Sequence, residues 1–138
     1  MTIAAIDYGK RRLGIAATDP SGLVAYPVGV IQRHSLKGDL AILSARLGEL
    51  EANRVVVGLP LNMDGTSGPA AHAAEHFAQH LRDATGLNVE LHDERLSTFE
   101  AKQRLRVQSQ RRRRGAMVDA LAAVVILESW LNAQQSPR

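Results

Sequence analysis

An α/β fold built on a mixed sheet is predicted by three observations on the chain. Short β-rich runs crowd its first third, their links are short enough to force antiparallel pairing, and apolar runs then alternate with helical stripes. The expected order is β-β-β-α-β-α-β-α-α. This gives a five-stranded mixed sheet, three antiparallel strands followed by two parallel ones, with helices on both faces.

Ile3 to Tyr8 and Leu13 to Thr18 are the first two strands, joined by the glycine-bearing hairpin loop Gly9-Lys10-Arg11-Arg12. Asp19-Pro20-Ser21-Gly22 makes a second turn, and Leu23 to Ile31 a third strand. Leu36, Leu40, Leu43, Leu47 and Leu50 then recur at helical spacing until Asn53-Arg54 interrupts them. The compact run VVVGLP, residues 55 to 60, suits a strand buried on both faces. After the polar loop LNMDGTSG a helix is predicted from Pro69 to Thr85, with Ser67 or Gly68 near its N-cap and Gly86 closing it. Its His72, His76 and His80 flank the apolar stripe Ala73, Phe77 and Leu81, which makes them a solvent-side edge rather than a zinc site. Asn88 to Asp93 is the fifth strand. Ser97-Thr98-Phe99-Glu100 has the form of a capping box opening another helix. Residues 108–115 are expected to form a flexible basic loop, Ala116 to Leu131 a last helix with Trp130 in the core, and 132–138 a short polar tail.

With 138 residues, 45% hydrophobic and 22% charged, the chain is expected to form one domain around one core. It has no cysteine, which excludes disulfide frameworks and thiolate metal sites. The opening MTIAAIDYGK does not read as a basic leader followed by an apolar core, and the run AMVDALAAVVIL falls short of the roughly 20 residues that span a bilayer. A cytoplasmic protein without membrane contact is therefore expected. The net charge of +3 is modest, but Lys102, Arg104, Arg106 and Arg111, Arg112, Arg113 and Arg114 crowd one region, which points to a polyanionic partner. At 4% aromatic residues there is no stacking platform for single-stranded bases.

The chemistry is signalled by acids in apolar settings. Asp7 ends the run Ile3-Ala4-Ala5-Ile6, where an uncompensated polar group costs on the order of 2–7 kcal/mol to desolvate. Asp119 is the single polar side chain in AMVDALAAVVIL. Asp93-Glu94-Arg95 closes the fifth strand, and strand alternation leaves open which of the two acids turns inward. Three carboxylates meeting at a sheet edge would raise one another's pKa unless a cation held them, and an oxygen-only set suits Mg2+ or Mn2+. Such ions lower the pKa of a bound water and stabilise the attacking and leaving oxygens of a phosphodiester cleavage. Lys10, Arg11 and Arg12 beside Asp7, with Arg111 to Arg114, would track a phosphate backbone, positioning it without reading sequence. The loop carrying Asn62 and Thr66 precedes a helix N-terminus, where a phosphate oxygen is welcome.

The blocks IDYGKRRLGIAATD, VVVGLPLNMDGTSG, DERLST and VDALAAVVILESWL resemble, in order and spacing, the four signature blocks of the YqgF (RuvX-like) family. This is a bacterial group with a ribonuclease H-like fold, associated with Holliday junction resolution and with maturation of pre-16S ribosomal RNA. The resemblance implies a metal-dependent nuclease in which Asp7, Glu94 and Asp119 are the catalytic, metal-binding acids, with Asp93 a lesser candidate. Arg95, in DERLST, is a further candidate substrate contact, and the resemblance implies a nucleic acid, structured RNA or branched DNA, as partner. A symmetric four-way junction would also suit a homodimer. Many members of the wider nuclease superfamily carry an acid at the end of the fourth strand, where this chain has Gly58-Leu59-Pro60.

Two other readings compete. Sugar kinases, actin and chaperone ATPases share this fold and open with a similar Asp-x-Gly turn, but they are far longer. A non-catalytic RNA- or ribosome-binding module would bind without cleaving.

Overall fold

The computed structural model describes residues 1–96 and 115–135. Its strands are β1 (Thr2–Tyr8), β2 (Arg12–Thr18), β3 (Ala25–Gln32), β4 (Ala52–Leu59) and β5 (Asn88–Asp93). Its α-helices are α1 (Leu36–Glu49), α2 (Pro69–Thr85) and α3 (Gly115–Gln135), and a 3-10 turn, Glu94–Leu96, follows β5. The capping box Ser97-Thr98-Phe99-Glu100, the helix it would open and Arg111 to Arg114 lie outside the described residues.

The strand order is β3-β2-β1-β4-β5. β1 pairs antiparallel with β2, and β2 with β3, while β4 runs parallel to both β1 and β5. This is the mixed sheet expected from the sequence. β3 pairs with β2 through a bulge, Gly29 facing Ile15 and Pro27 facing Ala16, which leaves Val28 as the extra residue on an edge strand.

Alternation along the strands builds two cores. Ala4, Ile6, Leu13, Ile15, Val55, Val57 and Val89 face one way and pack with Leu43 and Leu47 of α1 and Phe77, Ala78 and Leu81 of α2. Ile3, Ala5, Ala16 and Val56 face the other way and meet Ala123, Ile126, Leu127, Trp130 and Leu131 of α3. Asp7 continues the Ile3-Ala5 face, so it points to the side covered by α3. Burying each large aliphatic side chain in these layers stabilises the fold by roughly 1.5–3 kcal/mol.

Helix ends follow local chemistry. Ser35 caps α1, its Oγ accepting from the Gly38 N–H at 3.1 Å, and the buried Asp39 reaches back to the His34 N–H at 3.0 Å. α1 ends at Glu49, followed by Glu51 at φ 54 in the left-handed region, a place glycine commonly takes. α2 begins at Pro69 behind an N-cap at Gly68 and ends on Gly86 at φ 71, as expected. Its buried stripe contains Ala74 rather than Ala73, which is exposed beside His72, His76 and His80.

Several boundaries differ from expectation. The third strand starts at Ala25 because the Asp19 carboxylate accepts the N–H groups of Leu23 and Val24, closing the turn around those residues. α3 continues through Gln135, so residues 132–135 belong to a helix and not to a polar tail. Among the described residues no helix is long and apolar enough to cross a membrane.

Candidate active site

One edge of the sheet gathers the carboxyl ends of β1, β4 and β5 with the start of β2, the position at which α/β sheets commonly bind ligands. Asp7, near the end of β1, faces Gly14 of β2. On the other flank Ile6 faces Val57, so Gly58 lies one residue further along β4, and Gly58 faces His92 of β5. A row Gly14, Asp7, Gly58, His92 thus crosses four strands beneath α3.

The two glycines of this row make room for what covers it. A Cβ on Gly14 would collide with the Asp119 carbonyl oxygen, so the backbone of α3 rests directly on β2 at Asp119. A Cβ on Gly58 would lie 2.6 Å from Ile126 Cδ1 and 3.1 Å from Glu94 Cδ. Glu94, in the 3-10 turn after β5, therefore lays its side chain across β4 where the strand offers none of its own. At the end of β4, where the chain has Gly58, the space is entered by the Glu94 side chain from the turn that follows β5. At the far end of the row the buried His92 Nε2 lies 2.9 Å from Ser129 Oγ, and burial pulls its pKa down, which favours the neutral ring.

Burial pushes the Asp7 carboxyl up from 3.8 to about 7, and the charges of Glu94 and Asp119 push it the same way. Glu94 and Asp119 therefore both act on Asp7 at this edge. Asp119 also has a cation: Arg12 Nε lies 2.8 Å from its Oδ2. Among the described residues no group of three or more His, Asp or Glu side chains is already drawn closely enough to hold a metal ion. The donor chemistry nevertheless fits a hard divalent cation. The set is all carboxylate oxygen, and the burial and mutual repulsion that raise Asp7 are what a bound cation would offset.

Asp93 has a partner of its own. It receives Arg95 through both carboxylate oxygens, Nη2 to Oδ2 at 2.8 Å and Nε to Oδ1 at 3.1 Å, which hold its carboxyl below the usual range. Arg95 also donates to the Met63 carbonyl at 3.3 Å and so ties the end of β5 to the loop before α2. In that loop Asn62 Nδ2 donates to Thr66 Oγ1 at 2.9 Å, and Thr66 Oγ1 donates to Asp64 Oδ1 at 2.6 Å. Both expected phosphate contacts, Asn62 and Thr66, are exposed and shape the loop.

Of the hairpin cations, Lys10 and Arg11 are exposed and Arg12 is turned onto Asp119. The hairpin itself is closed by the Gly9 N–H to Arg12 carbonyl bond at 3.1 Å, and a Cβ on Gly9 would meet that carbonyl at 2.6 Å. Arg33 is a residue that sequence reasoning missed. Its guanidinium donates to the Gly9 carbonyl at 2.8 Å, the Lys10 carbonyl at 3.2 Å and the Tyr8 hydroxyl at 2.6 Å, and lies 4.4 Å over the Tyr8 ring. Tyr8 stacks in turn on Phe77 of α2, with ring centroids 4.4 Å apart. The turn beside Asp7 is thereby braced by Arg33, just beyond β3, and by α2. A lone arginine after a strand carries no signal of such a role; the glycine inside the apolar run VVVGLP was a signal that a side chain or backbone approaches closely.

A family model described as RuvX, Holliday junction resolvase, matches residues 1–133. A protein of Anaeromyxobacter sp. (strain Fw109-5) is 48% identical over 138 residues, with 99% of this chain and 100% of that protein covered. One from Myxococcus xanthus (strain DK1622) is 44% identical over 138 residues, with 99% and 91% covered. Both carry the name "Putative pre-16S rRNA nuclease". Among solved structures, T. thermophilus RuvC in complex with Holliday junction substrate aligns with a TM-score of 0.62 at 15% identity, covering 99% of this chain and 98% of that one. Fowlpox virus resolvase with substrate Holliday junction DNA aligns with a TM-score of 0.61 at 13% identity, covering 99% and 100%. At these identities the likeness is one of fold, and the ribonuclease H-like architecture expected from the sequence is the one observed.

Proposed function

Because the chain belongs to the family described as RuvX, Holliday junction resolvase, we propose that it is a divalent-metal-dependent endonuclease that hydrolyses phosphodiester bonds in structured nucleic acid. The observation that carries this reading is Asp7: a carboxyl at the carboxyl edge of a central strand, raised to about 7 by burial and by Glu94 and Asp119. Asp7, Glu94 and Asp119 would hold Mg2+ or Mn2+. When bound, such an ion supplies Lewis acidity at the phosphoryl oxygens and a more acidic water.

The remaining steps belong to the protein. Asp7 stands between the other two acids, so it is the group through which their charges are coupled. Lys10 and Arg11, on the turn braced by Arg33, would neutralise backbone phosphates flanking the cleaved bond. The arginines at 111–114 would extend that track. Arg95, engaged with Asp93 and Met63, orients the loop of Asn62 and Thr66 and so sets the rim over which the strand passes. No side-chain nucleophile is required, in keeping with a chain that has no cysteine.

Precursor 16S rRNA is the substrate favoured by the names of the relatives. Junction DNA is the second reading, favoured by the likeness to a RuvC bound to a Holliday junction. The test is cleavage of labelled precursor RNA and of labelled four-way junctions by purified protein with Mg2+, with Mn2+ and with chelator. Cleavage is expected with metal only, and Asp7→Asn is expected to lose it while still binding nucleic acid. Near-parental turnover by Asp7→Asn would overturn the scheme. Binding without divalent-dependent cleavage of either substrate would select a non-catalytic module.

A further inference from the structure

Arg12 differs from its neighbours on the hairpin. Lys10 and Arg11 are exposed, whereas the Arg12 guanidinium is directed back over the sheet, Nε 2.8 Å from Asp119 Oδ2. The backbones of both partners are fixed. Arg12 opens β2 and its carbonyl accepts the Gly9 N–H, and Asp119 is pressed against Gly14 with no room for a Cβ between them. The side chains alone are free to rearrange, and at 35% and 26% exposure neither needs unfolding to do so. Gly14, on which Asp119 rests, faces Asp7 across the β1–β2 ladder. The Asp119 carboxylate thus already has the guanidinium beside it, and that positive charge would repel any cation shared with Asp7.

We propose that Arg12 is an internal counterion of the metal centre, holding the Asp119 carboxylate until a divalent ion takes it and then turning its guanidinium to a substrate phosphate. The inference rests on the divalent-metal reading above. A guanidinium is always charged and presents a planar fork suited to carboxylate and phosphate alike, so one side chain serves both partners in turn. Before the exchange it neutralises one of the charges that press on Asp7, which lets three acids share an edge in the absence of metal. After it, cation binding and phosphate binding become linked, each favouring the other. A purely structural role for the pair, pinning α3 to β2, makes the opposite statement about metal affinity, because loosening α3 would disperse the ligands.

The test is titration of Mn2+ alone into the full chain by calorimetry. Arg12→Gln and Arg12→Met, which keep much of the aliphatic stem, are expected to bind Mn2+ about tenfold more tightly than the parent, and Arg12→Lys to stay within about twofold of it. Arg11→Gln, which removes the same charge from an exposed neighbour, is expected to change Mn2+ affinity by less than about twofold. In fluorescence anisotropy with a labelled four-way junction, Ca2+ is expected to tighten binding by the parent severalfold over chelator, and Arg12→Gln to lose most of that gain. Unchanged or weaker Mn2+ binding by both Arg12→Gln and Arg12→Met, with their circular dichroism intact, would overturn the counterion role and leave the metal reading standing. Absence of Mn2+ binding by the parent would overturn both.

Discussion

At the scale of single residues the carboxyl of Asp7 carries the clearest consequence. Its pKa is higher in the folded protein, about 7, than the ordinary 3.8, so folding binds its proton more tightly. The stability contributed by that proton is complete below about pH 4 and is lost as pH rises toward 7. Without metal, Asp7→Asn is therefore expected to be more stable than the parent at pH 8, by on the order of 2–4 kcal/mol, with the difference vanishing near pH 4. Urea denaturation of both proteins in chelator at the two pH values measures it, and equal midpoints at pH 8 would contradict the burial of this charge. The acid at position 7 was legible because it ends an apolar strand. Strand alternation did not separate Asp93 from Glu94, because it stops being a guide where β5 passes into a 3-10 turn, and it was the resemblance of DERLST that favoured Glu94. The bidentate grip of Arg95 on Asp93 and the approach of Glu94 to Gly58 are facts of three dimensions that strand pattern does not carry. The pairing of Arg12 with Asp119 was equally invisible, since the two are joined only by the path of α3 over β2.

At the scale of elements, α3 meets the sheet through contacts of different hardness. At Gly14 it meets the sheet backbone to backbone, and at Gly58 through the flexible tip of Ile126. Gly14→Ala must displace the helix itself and is expected to lose about 3 kcal/mol, the upper part of the usual range for overpacking. Gly58→Ala can be relieved by rotating Ile126 and is expected to lose only about 1 kcal/mol, while its cleavage falls tenfold or more because Glu94 is pushed from the same space. Chemical denaturation beside a cleavage assay separates the two effects, and a larger stability loss at Gly58 would reverse the assignment of hard and soft contacts. The strands and helices were mostly legible, α2 and β5 at both ends, because hydrophobic period and terminal Pro or Gly agree there. The start of β3 was misread because Asp19 gathers the amides of Leu23 and Val24 into its turn, a side-chain effect that hydrophobic pattern does not register.

At the scale of the whole molecule, the hairpin cations face the same edge as the acids, so affinity for nucleic acid should be electrostatic and salt-dependent. Removing Lys10 and Arg11 together is expected to make the slope of log affinity against log salt shallower by roughly 1.4–1.8, with unchanged thermal stability. An unaltered slope would mean that these side chains touch no phosphate. The order of the sheet has one further effect. β3 is an outer strand, yet Pro27 interrupts its row of amide donors and the bulge at Val28 bends it. Such a flank is a poor template for a foreign strand, so in concentrated solution this side of the protein should resist the edge-to-edge stacking that seeds fibrils.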